Sequence, residues 1–438
     1  MSRPRTAALA FWGLGVALTA LVVAGEWQLP PGETELGGAA MERFIPLELA
    51  ASAAWLGVCA IALWAPPRRA ALGVVGLALA MRIVPLLGPP LLSSDVYRYV
   101  WDGRVQRAGI NPYRYHPADA ALAFLRDDAV YPFINRAIEA PTIYPPAAQG
   151  VFGLAAFISP GVVGMKAVMV AMEGIGSAFL LALLRRAGLP SARLAVYGWA
   201  PLPVWEFAGD GHVDALSLAW IGGALLAART GRRALAGVML AGAGLTKVLP
   251  FAVGPALWRR WDWRLPLALV AAVAVAYVPY AGVGWRVLGY LPGYGSEEGL
   301  GSGSGILWLR LLALAGPLPP WVGTAWLLLT AALLVALAFR VAWRPLPADA
   351  ALRTRAIGRD ALLLAGAAML AVTPHYAWYL CWLAYLAALW AAPWALWIVA
   401  LAPLLYFDPL HDQALWPSLV FLPAAAMLFA RLSRRSTP

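Results

Sequence analysis

The chain has 438 residues, of which 62% are hydrophobic and only 13% are charged. Because water-soluble domains carry about half apolar and about a quarter charged residues, this composition excludes a chain of soluble domains. The formal net charge is +11, but the basic residues stand in short clusters between apolar blocks. This pattern sets orientation in membranes and disfavours a nucleic-acid-binding protein.

The apolar residues recur in blocks of about 17–25, the length that crosses a bilayer core. We therefore predict one all-α domain over residues 1–438, a transmembrane bundle of about 11–13 helices of which some are short. Its long outer loop is expected to carry short helices at the membrane interface. The two cysteines, Cys59 and Cys381, both lie in apolar blocks and are expected to be buried hydrophobic residues.

Clusters of basic residues mark the loops expected on the cytoplasmic side. They are Arg3/Arg5, Arg68/Arg69, Arg185/Arg186, Arg229 to Arg233, Arg259 to Arg264, Arg340 to Arg359 and Arg431 to Arg435. This assignment places both termini in the cytoplasm. The loops expected outside are 26–45, 88–143, 208–212, 285–304, the turn near 375 and 407–413.

Two segments conflict with straight spans under this assignment. Residues 234–257 run between two basic loops, so we expect a broken or re-entrant helix pair there. Residues 144–184 are too long for one span, whereas two full spans would leave Arg185 and Arg186 outside.

The outer loop 88–143 is the least apolar stretch, and we predict a short helix from Ser93 to Arg107 within it. One face of that helix would carry Asp95, Arg98, Tyr99 and Asp102. A structural alternative is that Ser94 or Asp95 caps the helix and that Asp95 pairs with Arg98. The position just beyond a membrane helix favours a catalytic role for Asp95, whereas the two interpretations balance for Asp102.

Aromatic and amide side chains follow Asp95 through the loop and into the next helix. The candidates for substrate contact are Tyr97, Tyr99, Asn111, Tyr113 and Tyr144. Such groups stack on sugar rings and bond to hydroxyls, but they equally suit an interfacial aromatic belt. Tyr144 is the strongest candidate, because it begins a membrane helix beside the loop.

Asp210 and Asp214 flank His212 at an outer helix end. Charged groups at membrane depth are costly and tend to line a cavity, so we expect His212 and Asp214 to contact substrate. Asp210 is equally suited to cap the next helix. The spacing lacks a fourth ligand for a metal site.

Lys247 lies in the predicted helix break, and Arg310 follows the glycine- and serine-rich segment 295–305. A cation facing lipid costs about 2.5–3.5 kcal/mol, so Lys247 needs an anion. A lipid phosphate or a buried carboxylate such as Glu173 is suitable. We predict that Lys247, Arg310 and Arg98 bind a donor phosphate, over which segment 295–305 could order.

His375 stands with Tyr376 and Tyr379 at a helix break near the outer surface. Histidine titrates near neutrality, so His375 could position or deprotonate a hydroxyl or bind the phosphate. The alternative is an interfacial turn with belt aromatics.

Five motifs, in this order, resemble bacterial membrane glycosyltransferases of the GT-C superfamily. They are SSDVYRYVWDGRVQRAGINPYRY, PTIYPPAAQ, GHVDAL, LTKVLP and TPHYAWYL. The likeness covers about residues 80–410 and is greatest to the branch around glycosyltransferase family 87, which contains polyprenyl-phosphate-mannose-dependent mannosyltransferases.

The resemblance implies an inverting hexosyltransferase in the bacterial cytoplasmic membrane that acts on its outer face. Its donor would be a polyprenyl-phosphate sugar, with mannose implied, and its acceptor a glycolipid or glycan hydroxyl. The family's general base falls on Asp95, and its functional outer-face histidine falls on His375. Many members carry Asp-x-Asp in the first loop, whereas this chain has Asp-Val-Tyr at 95–97, so we expect no cofactor and no metal.

Two other functions remain open from the sequence. A transporter or flippase of lipid-linked sugars also uses broken helices and buried cations, although no internal repeat is evident. A non-catalytic membrane assembly subunit would not need charged residues in a cavity.

Overall fold

The computed structural model describes residues 3–27, 38–135, 140–408 and 413–433. Parts of the predicted outer loops (28–37, 136–139 and 409–412) and the basic residues Arg434 and Arg435 lie outside these ranges. The described part of the chain is helical and contains no β-strand. The prediction of an all-α bundle is therefore confirmed.

The α-helices fall into two sets along the chain. The first set is α1 Arg3–Trp27, α2 Gly38–Trp64, α3 Ala71–Leu87, α4 Asp95–Arg107, α5 Pro146–Ile158, α6 Val162–Arg186, α7 Ala195–Gly198, α8 Pro201–Pro203, α9 Asp214–Arg229 and α10 Arg233–Gly244. The second set is α11 Gly254–Leu257, α12 Arg264–Tyr277, α13 Leu291–Glu297, α14 Leu307–Ala313, α15 Trp321–Trp343, α16 Ala350–Val372, α17 Cys381–Leu389, α18 Pro393–Leu401 and α19 Leu415–Ser433.

Shorter helical turns connect these helices. A π-helical turn covers Val204–Gly209. The 3₁₀ turns are Ala120–Leu125, Tyr131–Phe133, Ser191–Leu194, Leu249–Val253, Val278–Leu288, Ala377–Leu380 and Ala402–Phe407.

Six helical segments of the described chain are long and apolar enough to cross a membrane. They are Arg5–Trp27, Met41–Trp64, Val162–Arg186, Arg264–Glu297, Trp321–Trp343 and Leu415–Ser433. A pair bent by 117°, Pro201–Gly209 with Asp214–Arg229, would form a seventh span, and five shorter apolar helices accompany them. The protein is therefore a multi-pass membrane protein, with six or seven segments of spanning length in the described chain.

The segment 234–257 is a re-entrant hairpin, as predicted. Helix α10 ends at Gly244, and the chain returns through a 3₁₀ turn and α11. The Arg233 guanidinium donates a hydrogen bond to the Leu257 carbonyl at 3.1 Å, so the two ends of the hairpin lie side by side. At Gly244 a Cβ atom would stand 2.1 Å from the Phe251 ring, so the two arms pack closely at this point.

The segment 144–184 consists of a short helix and a full-length one. Helix α5 has 13 residues and is about 20 Å long, well short of a bilayer core of about 30 Å. It packs closely on α4, because a Cβ atom at Gly103 would lie 2.4 Å from the Phe152 carbonyl oxygen. Helix α6 then has the length to cross alone and to end at Arg185 and Arg186.

Three of the predicted cytoplasmic loops meet at one end of the bundle. Arg355 donates to the Ala187 carbonyl at 2.7 Å, and Arg229 donates to the Thr354 hydroxyl at 3.0 Å. Loops that are far apart in sequence therefore form one basic face.

Helix α9 connects this basic face to the opposite end of the bundle. It runs from Asp214 to Arg229 over 16 residues, a length of about 22 Å. The side chains around Asp214 are therefore separated from the basic face by most of a membrane thickness. In agreement with the sequence, Cys59 and Cys381 are buried and unbridged.

Candidate functional site

A cavity of about 890 Å³ lies at the Asp214 end of α9. Its wall combines the chain before α4, the chain before α5, the re-entrant turn, the segment from Val273 to Leu291 and the segment after α16. Among the predicted site residues, those that line this cavity are Asp95, Tyr113, Tyr144, Lys247, His375, Tyr376 and Tyr379. The fold thus brings together residues spread over nearly three hundred positions of sequence.

Asp95 is the first residue of α4 and is one of the residues that line the cavity. The Asn135 amide donates to one oxygen at 2.8 Å, and the Tyr144 hydroxyl donates to the other at 3.0 Å. The Asp95 backbone amide donates to the Ser93 hydroxyl at 3.2 Å. The carboxylate therefore has a fixed direction, with further lone pairs available for a substrate proton.

The electrostatic surroundings keep Asp95 ionised. Burial by itself raises the pKa of this carboxyl, but His212, Lys247 and the hydrogen bonds from Asn135 and Tyr144 outweigh burial and hold the pKa below its ordinary value of 3.8. The carboxylate therefore stays ionised throughout the neutral range, the form in which it can act as a base.

The chain that leads into Asp95 is held by Asp210. One carboxylate oxygen of this residue accepts hydrogen bonds from the backbone amides of Leu91 at 2.6 Å, Leu92 at 2.8 Å and Ser93 at 3.2 Å. Asp210 is only 1% exposed, so these bonds are shielded from water. Its function is thus to fix the turn before α4, which differs from the helix cap considered from the sequence.

Lys166 holds the same turn from its other end. This lysine is fully buried, and its ammonium donates to the carbonyls of Pro85 and Gly88 at 2.7 Å each. Together with Asp210, it fixes the path from α3 to Asp95 by charge-assisted hydrogen bonds.

Lys247 reaches the cavity from the break in the re-entrant hairpin. Its ammonium lies 2.5 Å from an Asp214 carboxylate oxygen and 4.2 Å from the centre of the Tyr379 ring. The buried carboxylate partner is therefore Asp214, and the suggestion of Glu173 is wrong. Glu173 instead binds Arg82 at 2.5 Å.

Three stacked rings form the wall between Lys247 and the core. Tyr376 stacks on Trp378 with ring centres 4.4 Å apart, and Trp378 stacks on His212 at 4.1 Å. His212 is fully buried, with its imidazole 3.3 Å from a Glu206 carboxylate oxygen. His212 and Asp214 thus support the cavity residues from behind and are not among the residues that line the cavity.

Comparison with known families identifies the chain. The family model described as alpha-(1->6)-mannopyranosyltransferase, N-terminal domain, matches residues 12–261. The match covers more than half of the chain. The protein belongs to this mannosyltransferase family. No curated protein and no solved structure matches it.

The family match confirms the GT-C-like mannosyltransferase resemblance that the motifs indicated. The matched region contains the cavity residues Asp95, Tyr144 and Lys247, whereas His375 and Tyr379 lie beyond it. This mannosyltransferase is accordingly a hexosyltransferase that uses a sugar donor and an acceptor.

Two of the predicted residues of the mannosyltransferase form an internal network instead of lining the cavity. Arg98 pairs with Asp102 at 2.9 Å and donates to the Ala140 carbonyl at 3.1 Å. Asp102 also accepts from Thr142 at 2.5 Å and from Gln149 at 2.8 Å. These interactions hold α4 against the chain before α5. Arg98 and Asp102 therefore do not line the cavity beside Asp95.

Three other candidates have structural contacts outside the cavity. Tyr97 packs on Phe133 with ring centres 5.0 Å apart, and Tyr99 stacks on Phe152 at 4.6 Å. Asn111 donates to the Tyr280 carbonyl at 3.1 Å. These positions therefore favour a role in packing for the three side chains over contact with the substrate.

Arg310 lies in a second cavity, which adjoins the first. Its guanidinium is 3.6 Å from an Asp408 carboxylate oxygen and donates to the Gln413 carbonyl. Lys247 lines only the first cavity, whereas His375 and Tyr376 line both. A single phosphate shared by Lys247 and Arg310 stays a prediction.

Several contributors to the site were not selected from the sequence. Asn135 bonds to Asp95 across 40 positions. Lys166 offered a signal, because it and Lys247 are the only lysines in a chain whose other basic residues are arginines. In the part of the chain that the structure describes, no group of three or more His, Cys, Asp or Glu side chains could hold a metal ion.

Proposed function

We propose that the protein is an inverting transferase that moves mannose from a polyprenyl-phosphate-mannose donor to a hydroxyl of a glycolipid or glycan. The observation that carries this proposal is that an ionised carboxylate, Asp95, and a buried ammonium, Lys247, line the same cavity. A proton acceptor and an anion-binding cation are the two groups that transfer from a phosphate donor needs.

The cavity wall suits a donor with a hydrocarbon tail. Val248, Leu288 and Leu291 line the cavity and are 56%, 44% and 46% exposed. Exposed apolar side chains of a membrane-spanning protein suit contact with lipid, which supports a cavity that opens towards the bilayer on this side. A polyprenyl chain can therefore lie along these residues while its phosphate reaches Lys247.

The reaction follows from these positions. Asp95 takes the proton of the acceptor hydroxyl as the acceptor oxygen forms a bond to the anomeric carbon of mannose. The bond from that carbon to the phosphate oxygen breaks, and its electron pair leaves with polyprenyl phosphate. The ammonium of Lys247 stabilises the charge that develops on the phosphate. Attack opposite the leaving group inverts the anomeric configuration.

His375 lies where an acceptor hydroxyl would enter the first cavity. It lines this cavity together with Asp95 and also lines the adjoining one. We assign it to positioning the acceptor. The mechanism uses side chains alone and needs no metal or other cofactor.

The orientation of the bundle supports an active site on the outer face of the bacterial cytoplasmic membrane. The clustered arginines lie at one end of α9 and the cavity at the other. Because basic loops stay in the cytoplasm, both termini would be cytoplasmic and the cavity would face outwards.

Transfer by the purified protein tests the proposal. Wild-type protein in detergent should move radiolabelled mannose from polyprenyl phosphate to a soluble mannoside, with the opposite anomeric configuration in the product. Reconstitution into vesicles that contain the labelled donor provides the comparison with a flippase. Movement of the lipid across the bilayer without sugar transfer would contradict the proposal.

A further inference from the structure

The second cavity has a volume of about 670 Å³, within the range of ligand-binding pockets. Its lining is rich in hydrogen-bonding side chains, whereas much of the first cavity is apolar. The polar residues that line it are Glu297, Glu298, Ser302, Ser304, Arg310, His375 and Tyr376. The two cavities share Glu298, Gly305, His375 and Tyr376, so they meet along one edge.

The glycine- and serine-rich segment forms a shaped wall of this second cavity. The amides of Gly303 and Gly305 donate to the Gly299 carbonyl at 2.9 and 3.3 Å. A Cβ atom at Gly305 would lie 1.8 Å from the Glu298 carbonyl oxygen. This close packing leaves Ser302 and Ser304 exposed in the lining of the cavity, with their hydroxyls 2.8 Å apart.

The turn after α16 sets the edge at which the two cavities meet. Thr373 has φ 42° and ψ 66°, a left-handed conformation that is unfavourable for a β-branched residue. Its hydroxyl accepts a hydrogen bond from the Leu307 amide at 2.9 Å. Strain of this kind is kept where the surrounding structure needs it, and here it directs His375 and Tyr376 towards both cavities.

Transfer needs two substrates of opposite character to meet at Asp95. The lipid donor suits the apolar first cavity, so the hydrophilic acceptor needs a separate route to the same carboxylate. Carboxylates, hydroxyls and backbone groups bind vicinal sugar hydroxyls, and an aromatic ring such as Tyr376 can stack on the apolar face of a sugar. The second cavity offers this set of groups and opens into the first beside His375.

We propose that the second cavity is the acceptor site and that it holds the terminal, uncharged sugar ring of the acceptor saccharide. The acceptor hydroxyl then passes the edge formed by His375 and Tyr376 to reach Asp95. This inference rests on the proposed mannosyl transfer for its role, but saccharide binding in the cavity can be measured without catalysis.

The test is binding of methyl α-D-mannopyranoside to the purified protein, titrated by saturation-transfer NMR. Ser302 and Ser304 are exposed, so replacing both with leucine fills the cavity without disturbing the core. Ser159 is also exposed and lies outside both cavities, which makes Ser159→Leu the matched control. Retained melting temperature in detergent confirms that each variant is folded.

We expect S302L/S304L to weaken saccharide binding by about tenfold or more, because the leucines fill the space of the sugar ring and remove two hydrogen-bonding partners. Ser159→Leu should leave binding as in the wild type. Unchanged affinity in S302L/S304L, or no saturable binding to the wild type, would overturn the acceptor site. A protein that binds the saccharide at this cavity but transfers no mannose would instead contradict the proposed function alone.

Discussion

The ion pair between Lys247 and Asp214 offers a way to separate support of the fold from binding of the donor. The two charges are 2.5 Å apart, with side chains only 12% and 6% exposed. Removing one partner of a buried pair leaves an uncompensated charge and costs about 3–5 kcal/mol. Lys247→Met should therefore lower the melting temperature of the protein in detergent.

A second substitution separates the two effects. Replacing both partners, as in K247M/D214L, removes the unpaired charge, so most of the lost stability should return. Binding of the donor phosphate should not return, because the ammonium is still absent. A hydrogen bond to a charged group is worth about 1.5–3 kcal/mol, which corresponds to a rise of about 10- to 150-fold in the donor KM.

We would measure the donor KM and the melting temperature of the wild type, of Lys247→Met, of Asp214→Leu and of the double variant. We expect K247M/D214L to approach wild-type stability while its donor KM stays as high as that of Lys247→Met. If the double variant recovered both stability and donor KM, Lys247 would act only through Asp214, and its role at the phosphate would be refuted.

Three further predictions concern the surroundings of Asp95. Asp210→Ala frees the turn before α4 and should lower kcat by about tenfold or more at an unchanged donor KM; Asp210→Asn, which keeps an acceptor oxygen, should lose less. Tyr144→Phe removes one hydrogen bond to the carboxylate and should lower kcat by about tenfold, whereas a rate equal to that of wild type would exclude this contact from catalysis. Because the pKa of Asp95 lies below 3.8, its active ionised form persists as the pH falls, so transfer should lose no activity through Asp95 between pH 8 and about pH 5. The rate of transfer measured as a function of pH checks this. A loss of rate on the acidic side near neutral pH would contradict it if the loss persists in His375→Gln, which excludes His375, and shifts in pH in Tyr144→Phe, which points to Asp95.

The sequence predicted the features that depend on local pattern and on charge. The apolar blocks predicted the helices, and the basic loops on both sides of residues 234–257 required a segment that returns to its starting side. The hydrogen bond from Arg233 to Leu257 shows this return. Asp95 was selected for its position just beyond a membrane helix and by the family resemblance. Lys247 was selected because a cation that faces lipid needs an anion. Both residues line the cavity.

The sequence did not predict the directions of side chains or the partners that lie far away along the chain. The spacing of α4 places Asp95 and Asp102 on one helical face, but α4 is buried on most sides, so periodicity does not tell which residues meet a cavity and which meet α5. Arg98 was therefore expected at a phosphate and instead pairs with Asp102. Asp210 binds backbone amides up to 119 positions away, and no local motif encodes such a contact.

The most direct test of the account is the rate of mannose transfer by Asp95→Asn at saturating donor. Its control is Asp127→Asn, which changes another outer-loop carboxylate, one that binds Arg104 and lies outside the cavity. We expect Asp95→Asn to bind the donor as the wild type does but to lose transfer by about a hundredfold or more, while Asp127→Asn remains active. Transfer by Asp95→Asn at the wild-type rate would contradict the central claim that Asp95 is the general base.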